Sequence, residues 1–542
     1  MKNLPLGIQN LNEIIKGNYL YVDKTDLFPE LIKLKQIFLS RPRRFGKSLL
    51  LDSLEQMFRG NAALFSGLKI ADSGYEFKKY PVIRLNMTMD CDSPEILKEE
   101  LIDNLENIAR SYKNVRLRAR NPGGALKRLI EDISEECGER VVALIDEYDN
   151  PVSLHMDDIV LANANSKVLN SFYVGFKDMD KFLRFVMVTG VTRYAMMGLS
   201  SGLNQLVDIS FDPKFPAICG FTPDELDQYF GDRYSSTLET LKSTGYMPPE
   251  SSESDLRQEI LSWYDGYTWD GKTRVLNPIS ILNFFNSNEF KEFWKETSPS
   301  VTFLRNTISA NPLSFTTNYL QGFTGGDISL ATVGNVASVP LLFHTGYLTI
   351  DKITRVDKKL RYSFKVPNFE LQDSFYEILN DCLHIKNNVV EAEALTKAVR
   401  ERNSELLTDI IRTLFNRIPA EHYKNNENLK ESFFHMALLC YCSGLLEARS
   451  EEPGPLGDLD LLIITPDGLH TVIELKYARN PDPFDPEKTL DKLVEKALNV
   501  IKKKQYGARY RLPDRDIIPV GLGVMGRGEA KAVFGDALEE PA

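Results

Sequence analysis

The sequence predicts an α/β protein with a parallel sheet in its amino-terminal part, a mainly helical middle and a smaller α/β core near its carboxyl end. Apolar runs typical of buried strands alternate with helical patterns over residues 1–235 and end in polar residues. Further along, two apolar runs flank a Pro-Asp-Gly turn at residues 466–468. At 542 residues the chain is too long for a single core, which agrees with several domains.

Composition narrows the class of protein. A hydrophobic content of 43% with 26% charged residues is that of an ordinary globular protein, and no apolar run is long enough for a membrane helix. The net charge of −11 argues against a surface that binds nucleic acid everywhere. Six scattered cysteines without a Cys-x-x-Cys pair, and six dispersed histidines, indicate reduced thiols and no zinc site. We therefore expect a cytoplasmic protein.

A phosphate-binding loop is predicted between a strand at 36–40 and a helix at 49–58. The residues between them, 41–48, end in Gly-Lys-Ser, and this tripeptide between a strand and a helix is typical of a loop that cradles phosphates. Lys47 would reach the β- and γ-phosphates, and Ser48 would bind Mg²⁺. The backbone N–H groups that would surround the phosphates belong to Arg44, Phe45 and Gly46.

Two further apolar runs end in polar residues that would complete this site. Residues 141–145 precede Asp146 and Glu147; Asp146 would bind the metal through water, and Glu147 would polarise the attacking water. A third run, 185–190, carries Thr189 near its end. Ligands bind at the carboxyl ends of parallel strands, so the three strand ends predict one ATP site. The alternative is three core strands with incidental polar caps.

For residues outside the phosphate-binding loop, the sequence leaves alternative roles open. Thr189 or Thr192 would sense the γ-phosphate, and Arg193 would neutralise charge in the transition state. Asp149 would instead brace the loop that follows its strand. Residues 23–25 either line the pocket for the base or cap a helix.

Several segments carry a family resemblance: Tyr21-Val-Asp-Lys-Thr25, Arg41 to Ser48, Asp146-Glu-Tyr-Asp-Asn-Pro151, Thr189-Gly-Val-Thr-Arg193 and Trp263-Tyr-Asp-Gly-Tyr267. In this order they resemble the AAA-like P-loop ATPase domain that precedes a PD-(D/E)xK domain in many bacterial and archaeal proteins. Arg41 stands where a phosphate-binding loop usually has its first glycine, and in that group an arginine there is normal. The resemblance implies that ATP and Mg²⁺ are the cofactors.

A second candidate site lies on the hairpin around the Pro-Asp-Gly turn. If its loop comprises residues 466–468, Asp460 lies directly opposite Glu474, and Lys476 shares the face of Glu474. Buried charges of this kind need a compensating ion or substrate, and a divalent metal facing a phosphodiester would supply it. A two-residue Asp-Gly turn would instead split the two carboxylates between the faces of the sheet. An ordinary surface hairpin with a Glu–Lys pair is the other alternative.

The hairpin, together with a preceding helix that starts at Glu431, resembles the PD-(D/E)xK nuclease core. The resemblance implies that Asp460 and Glu474 bind Mg²⁺. It makes Glu431 a further acidic ligand or a residue behind the ligands. Lys476 would orient the attacking water or stabilise charge in the transition state.

Three domains are expected. The middle one would contain short β pieces at 341–350 and 361–365 and begin near an exposed linker at 248–255. The domains are an AAA-like P-loop ATPase domain at 1–235, a mainly helical lid or winged-helix-type coupling module at 236–395 and a PD-(D/E)xK nuclease-like domain at 396–542.

The predicted function is that of an ATP-binding and ATP-hydrolysing, Mg²⁺-dependent DNA nuclease whose cleavage is gated by nucleotide. DNA would bind the carboxyl-terminal domain, no membrane partner is expected, and homo-oligomerisation stays open. The alternative is a nucleotide-switched scaffold that uses a degenerate nuclease fold to bind nucleic acid or a partner without cutting. Two departures from the family pattern favour it: Asp458 stands where related sequences often have arginine, and Val500 where they often have glutamine.

Overall fold

The computed structural model forms two compact units; of the described residues, those up to 372 belong to one unit and those from 373 onwards to the other. The three-domain division made from the sequence stays a prediction. The structure describes residues 1–117, 121–192, 205–294, 322–329, 331–332, 335–336, 338–382, 389–418, 431–443, 445–454, 457–479, 485–504 and 517–536.

The amino-terminal unit is built on a five-stranded sheet in which all strands are parallel. Its order is β2-β3-β4-β1-β5, so the three strands predicted to form one site are neighbours. Every residue of β3 is buried, as expected for a central parallel strand covered on both faces. The fold class is therefore α/β, consistent with a P-loop NTPase-like core. The strands are β1 (Gln36–Ser40), β2 (Val82–Asn86), β3 (Val141–Asp146), β4 (Leu183–Gly190) and β5 (Val207–Asp208).

Helices connect these strands, and several begin at a polar cap. Asn10, Ser93 and Asn121 each accept a hydrogen bond from a backbone N–H of the first turn that they precede. The α-helices are Leu11–Lys16, Phe28–Leu31, Lys47–Phe58, Pro94–Ala109, Pro122–Cys137, Asn150–Ser153 and Ile159–Tyr173. The 3₁₀ helices are Thr25–Leu27, Ile32–Leu34, Ala62–Phe65, Lys69–Ser73, Val174–Phe176 and Gly231–Arg233.

After β5 the same unit becomes mainly helical around an aromatic-rich core. Phe230 stacks on Phe285 with ring centroids 5.2 Å apart, and Leu226, Ile260 and Tyr264 are buried in the same cluster. The helices are Pro223–Phe230, Tyr234–Ser243, Glu253–Tyr264, Pro278–Ser287, Gly325–Ser329, Ser338–Thr345 and Phe369–Cys382, the last of which crosses position 372. Two antiparallel pairs accompany them: β6 (Ala331–Thr332) with β7 (Asn335–Val336), and β8 (Thr349–Val356) with β9 (Lys359–Lys365).

One local prediction in this region is wrong, and another is right only in part. The β piece expected at 341–350 is the end of the helix Ser338–Thr345 followed by the start of β8, because a short, mostly apolar run does not distinguish a buried helix from a strand. The stretch expected at 248–255 as an exposed linker is exposed at seven of its eight positions, but its last residues start a helix. There Ser252 and Asp255 form a capping box in which each side chain bonds the other's backbone N–H.

The carboxyl-terminal unit contains a five-stranded mixed sheet in chain order, β10 to β14. Only β12 and β13 are parallel among its described pairs. Its strands are β10 (Glu447–Gly454), β11 (Gly457–Ile464), β12 (His470–Ala478), β13 (Ile517–Met525) and β14 (Glu529–Phe534). Its further helices are Val389–Arg400, Ser404–Arg417, Glu431–Ser443 and Pro486–Lys504.

The helix Pro486–Lys504 lies directly on the backbone of β13. A Cβ on Gly521 would come within 2.7 Å of the Val494 carbonyl oxygen, and one on Gly523 within 2.9 Å of the Leu490 carbonyl oxygen. Gly521 pairs with Glu474 in the neighbouring strand, so this helix covers the sheet face that carries Glu474. None of the described helices is both long and apolar enough to span a bilayer.

Candidate functional sites

The phosphate loop connects β1 to the helix that starts at Lys47. Gly46, the residue before the helix, has a φ of 93°, and Arg44 has a φ of 69°. Positive φ at Gly46 costs little because glycine has no Cβ. The turn leaves the first N–H groups of the helix without intrahelical acceptors, which is the usual basis for phosphate binding at a helix start.

Lys47 is buried and bends back over the loop. Its Nζ donates to the carbonyl oxygens of Arg41 and Pro42, both at 2.9 Å. Burial lowers the pKa of the Lys47 ammonium, and the nearby charges of Asp146 and Glu147 partly oppose that shift. The cation is therefore held by main-chain dipoles, and an anion at this position would be a better partner than the carbonyls.

Arg41 has a structural role. Its guanidinium is fully buried, donates from Nη1 to the carbonyl oxygens of Ser40 and Ser210 at 2.8 and 2.9 Å, and lies 3.9 Å from the ring centroid of Trp269. Burial lowers the pKa of Arg41 to about 10. The arginine that replaces the usual first glycine thus anchors the start of the loop to its surroundings.

Asp146 joins the ends of three adjacent strands. Its Oδ1 accepts a hydrogen bond from Thr189 Oγ1 at 2.6 Å, and its Oδ2 contacts Arg84 Nη2 at 3.2 Å. Arg84 was not anticipated from the sequence, although a charged residue inside the apolar run of β2 was a signal. The carboxylate is only 1% exposed, so the arginine and the threonine compensate its charge in this state.

Glu147 follows with a positive φ of 52°. It accepts a hydrogen bond from Thr88 Oγ1 at 2.8 Å and lines a cavity together with Lys47 and Ser48. A carboxylate beside the phosphate loop is where a group that polarises an attacking water is needed.

Asp149 braces the loop after β4, as one alternative from the sequence predicted. It accepts hydrogen bonds from the backbone N–H groups of Thr192 at 2.7 Å and Val191 at 3.2 Å, and from the Thr192 hydroxyl. The Thr192 hydroxyl is therefore engaged by Asp149, and Thr189 by Asp146. Arg193 lies outside the described residues.

The cavity beside the phosphate loop has a volume of about 390 Å³, within the usual range for small-molecule sites. Of the segment 23–25, it is Lys24 that lines this cavity. Asp23 accepts hydrogen bonds from the backbone N–H groups of Thr25 and Lys69 at 2.9 and 2.7 Å, so it fixes the local turn. The lining includes Arg44, Phe45, Gly46, Lys47 and Ser48.

The second candidate site depends on the register of the β11–β12 hairpin. Leu461 pairs with Ile473, and Ile464 with His470, which extends to Asp460 opposite Glu474. Gly468 has a φ of 79° and closes a three-residue loop. The predicted register is confirmed, and the alternative with a two-residue turn is wrong.

Four charged side chains meet at this hairpin. Lys476 Nζ lies 2.9 Å from Glu474 Oε1, 3.0 Å from Glu431 Oε1 and 4.0 Å from Asp460 Oδ2. Burial and the neighbouring Asp460 raise the pKa of Glu474 to about 7, although Lys476 opposes the shift. Ion pairing with the carboxylates outweighs burial and raises the pKa of Lys476. The cluster has more negative than positive groups.

An unpaired carboxylate oxygen in this cluster suits a hard cation. Glu474 Oε2 is buried and has no hydrogen-bond partner among the described residues. Asp460 lies opposite Glu474 on the neighbouring strand, and its Oδ2 accepts a hydrogen bond from the Leu475 backbone N–H at 2.9 Å. Mg²⁺ prefers carboxylate oxygens and keeps several waters, so these two residues would be sufficient protein ligands. Within the described part of the chain, however, no group of three or more His, Cys, Asp or Glu side chains is arranged to hold a metal.

Glu431 orients Lys476 in this structure. Its Oε1 accepts from Lys476 Nζ at 3.0 Å, and its Oε2 accepts from the Tyr477 backbone N–H at 3.2 Å. One turn later, His435 Nε2 is 2.7 Å from the Asp460 carbonyl oxygen. Of the two roles predicted for Glu431, this geometry agrees with the residue behind the ligands.

Of the two departures from the nuclease pattern, Val500 and Asp458, the structure describes the side chain of Val500. Val500 packs against a small core that includes Leu462 and Val472, so it is a packing residue. The side chain of Asp458 lies outside the described part.

Comparisons with known proteins address the amino-terminal site. Residues 5–200 match a family model, AAA-ATPase_like, described as a predicted AAA-ATPase. The chain is 31% identical over 549 residues to the "Uncharacterized protein in vnfD 5'region" of Azotobacter chroococcum mcd 1, with 99% of each protein covered. The solved ORC2 protein of Aeropyrum pernix, in ADPNP–ADP complexes, covers 66% of this chain and 91% of its own at 11% identity and a TM-score of 0.24. That structural similarity is too low to carry an argument.

The matched family segment contains the phosphate loop, Asp146, Glu147 and Thr189. It supports nucleotide binding and ATP hydrolysis by the amino-terminal unit. None of these three matches names a nuclease, so that part of the resemblance stays a prediction.

Proposed function

We propose that this chain, which belongs to the family of the Azotobacter chroococcum protein and contains a predicted AAA-ATPase domain, hydrolyses ATP and uses the nucleotide to control a Mg²⁺-dependent DNA nuclease. The observation that carries the ATPase half is the meeting of Lys47, Ser48 and Glu147 on one cavity beside Asp146. The observation that carries the nuclease half is the unpaired Oε2 of Glu474 opposite Asp460.

In the ATPase half, cationic and N–H groups bind the phosphates, and acidic groups act on the metal and the attacking water. Lys47 leaves the loop carbonyls to bind the β- and γ-phosphates, and the backbone N–H groups from Arg44 to Gly46 bind the remaining oxygens. Ser48 and Asp146 would hold Mg²⁺, which would neutralise charge on the phosphates. Glu147, kept in position by Thr88, accepts a proton from the attacking water.

In the nuclease half, Asp460 and Glu474 would hold Mg²⁺, which would supply the polarisation of a phosphodiester and a more acidic bound water. Lys476 supplies positive charge next to the scissile phosphate and orients the attacking water. Glu431 keeps the Lys476 ammonium in place through its 3.0 Å contact. The DNA backbone would be further attracted by the basic end of the helix Pro486–Lys504, which carries Lys502, Lys503 and Lys504.

The nuclease half is tested with purified full-length protein and linear, circular and single-stranded DNA, with and without Mg²⁺ and ATP. Glu474→Ala should abolish Mg²⁺-dependent cleavage while ATP binding is unchanged. Glu487→Ala, at a side chain that is 83% exposed, is the matched control and should cleave as the wild type does. Undiminished cleavage by Glu474→Ala would remove the assignment of this active site.

A second candidate function is a nucleotide-switched scaffold that binds nucleic acid or a partner without cutting it. It is favoured by Lys476, whose ammonium already pairs with Glu474 and Glu431. The same DNA panel separates the two functions. Nucleotide-dependent DNA binding by the wild type, with no cleavage at any Mg²⁺ concentration, would support the scaffold.

A further inference from the structure

The cavity beside the phosphate loop continues onto a surface of different chemistry. Next to its cationic loop it has apolar walls from the amino-terminal segment, from the residues after β5 and from the helix Pro278–Ser287. A triphosphate alone makes no use of such walls, whereas the flat face of a heteroaromatic base does. The apolar lining residues include Pro5, Ile8, Val22, Phe221, Ile279 and Leu282.

One charged side chain interrupts these apolar walls. Lys24 is buried to the extent that only 12% of its side chain is exposed, and it lines the cavity. Its Nζ donates to both carboxylate oxygens of Glu225, at 2.8 and 2.7 Å. Glu225 is itself fixed, because its Oε2 accepts a hydrogen bond from the Thr222 backbone N–H at 2.8 Å within a capping box.

An ammonium group has three N–H donors, and Glu225 receives two of those of Lys24. The third has no acceptor among the described residues. Burial of a charged donor without a full set of partners costs free energy, so an acceptor on a ligand would be favourable here. The only acidic side chain that lines the cavity among the described residues is Glu147, which already accepts from Thr88.

The proposed ATP site already implies that the base of the nucleotide lies against these apolar walls. Resting on that site, we propose that Lys24 determines the specificity for purines by donating to an unprotonated ring nitrogen of the base. Both rings of a purine fill the apolar walls, and a pyrimidine buries one ring fewer. The Lys24–Glu225 pair positions the donor before the ligand arrives, so little side-chain freedom is lost on binding.

The first test changes the ligand and leaves the protein as it is. Calorimetric titration of the full chain in Mg²⁺ is done with ATP, GTP, CTP and UTP and with the 1-deaza, 3-deaza and 7-deaza analogues of ATP. ATP and GTP should bind more tightly than CTP and UTP. One deaza analogue should bind about tenfold more weakly than ATP, the effect of one charge-assisted hydrogen bond. Equal affinity for ATP and all three analogues would overturn the role of Lys24.

The second test changes the donor. Lys24→Met should remove the penalty of that deaza analogue and reduce the preference for purines, while the affinity for inorganic tripolyphosphate stays within about twofold of the wild type. Lys24→Arg, which keeps a charged donor, should retain part of the preference. A purely structural ion pair predicts instead that Lys24→Met and Glu225→Gln weaken tripolyphosphate and ATP equally, and that result would overturn the proposal.

If the proposed ATP site itself is wrong, the results will differ from those expected when only the role of Lys24 is wrong. Lys47→Met should weaken every triphosphate, including tripolyphosphate, whatever the base. If the wild type binds no nucleotide, or if Lys47→Met changes nothing, the nucleotide site itself is wrong. A normal effect of Lys47→Met with no effect of Lys24→Met rejects only the assignment of the base.

Discussion

Two lysines, the buried Lys47 and the half-buried Lys476, lie at the two candidate sites in opposite electrostatic surroundings. Lys47 donates to two main-chain carbonyls, and burial lowers its pKa. Lys476 is surrounded by Glu474, Glu431 and Asp460, and these carboxylates raise its pKa. Among the described residues Lys47 forms no ion pair, whereas three carboxylates share the ammonium of Lys476. The same residue type therefore marks a place for an anion in one unit and for a further cation in the other.

The largest effect is expected at Lys47. Lys47→Met should weaken ATP binding roughly a thousandfold, about 4 kcal/mol, because Lys47 supplies a buried positive charge at the helix start that would bind the phosphates. Calorimetric titration measures it, and Lys16→Met, at an exposed position, is the control. Unchanged ATP affinity in Lys47→Met would show that Lys47 does not mark an anion site.

Arg41 provides a contrast with Lys47 within one loop, because it is a second buried cation but has a structural role. Arg41→Gly restores the usual first residue of the motif, yet it should destabilise the amino-terminal unit by about 3 kcal/mol. The loss leaves the carbonyls of Ser40 and Ser210 without their donor and a void over Trp269.

Urea unfolding followed by tryptophan fluorescence measures this change, because the chain has three tryptophans and all lie before position 372. Arg43→Ala is the control, because Arg43 lies in the same loop and is only partly buried. The exposed Arg110→Gly would be less well matched, because Arg110 directly follows a helix. A stability gain on Arg41→Gly would show that the guanidinium is dispensable.

A substitution of Lys476 tests the electrostatics of the carboxyl-terminal candidate site. Lys476→Met should lower the thermal midpoint, by an amount equivalent to about 2 kcal/mol, because the carboxylates lose their common cation. Mg²⁺ or Ca²⁺ should then raise the midpoint of this variant more than that of the wild type, since a divalent ion can replace the ammonium. Thermal unfolding with increasing metal concentration measures both effects. Equal metal responses would mean that the cluster does not attract a cation.

The smallest effect concerns the turn that sets the register of the carboxylates. Gly468→Ala should cost about 1 kcal/mol, because Gly468 has a φ of 79° that an alanine adopts with strain. Gly468→Asn should cost less, since asparagine tolerates the left-handed region. Chemical unfolding of the two variants gives the difference. Equal stability of Gly468→Ala and the wild type would contradict the three-residue loop.

Local sequence signals were sufficient wherever a structure is fixed by residues close in the chain. The bounds of β1 and β3 agree with the apolar runs, and the Pro-Asp-Gly turn gave the register that brings Asp460 opposite Glu474. Segments in which apolar residues show no clear period were the ones interpreted wrongly. The run at 341–350 is an example, because burial on all sides removes the alternation that identifies a strand.

The sequence by itself determined that a phosphate loop, an acidic strand end and a hairpin with paired carboxylates are present, because each is encoded within a few consecutive residues. Only the tertiary structure decided which distant side chains complete them. Arg84 reaches Asp146 and Lys24 reaches Glu225 across 62 and 201 positions. Such partners are chosen by how strands and helices pack, and a linear pattern carries no record of that distance. The same packing decides which buried charge is compensated and which is left for a ligand.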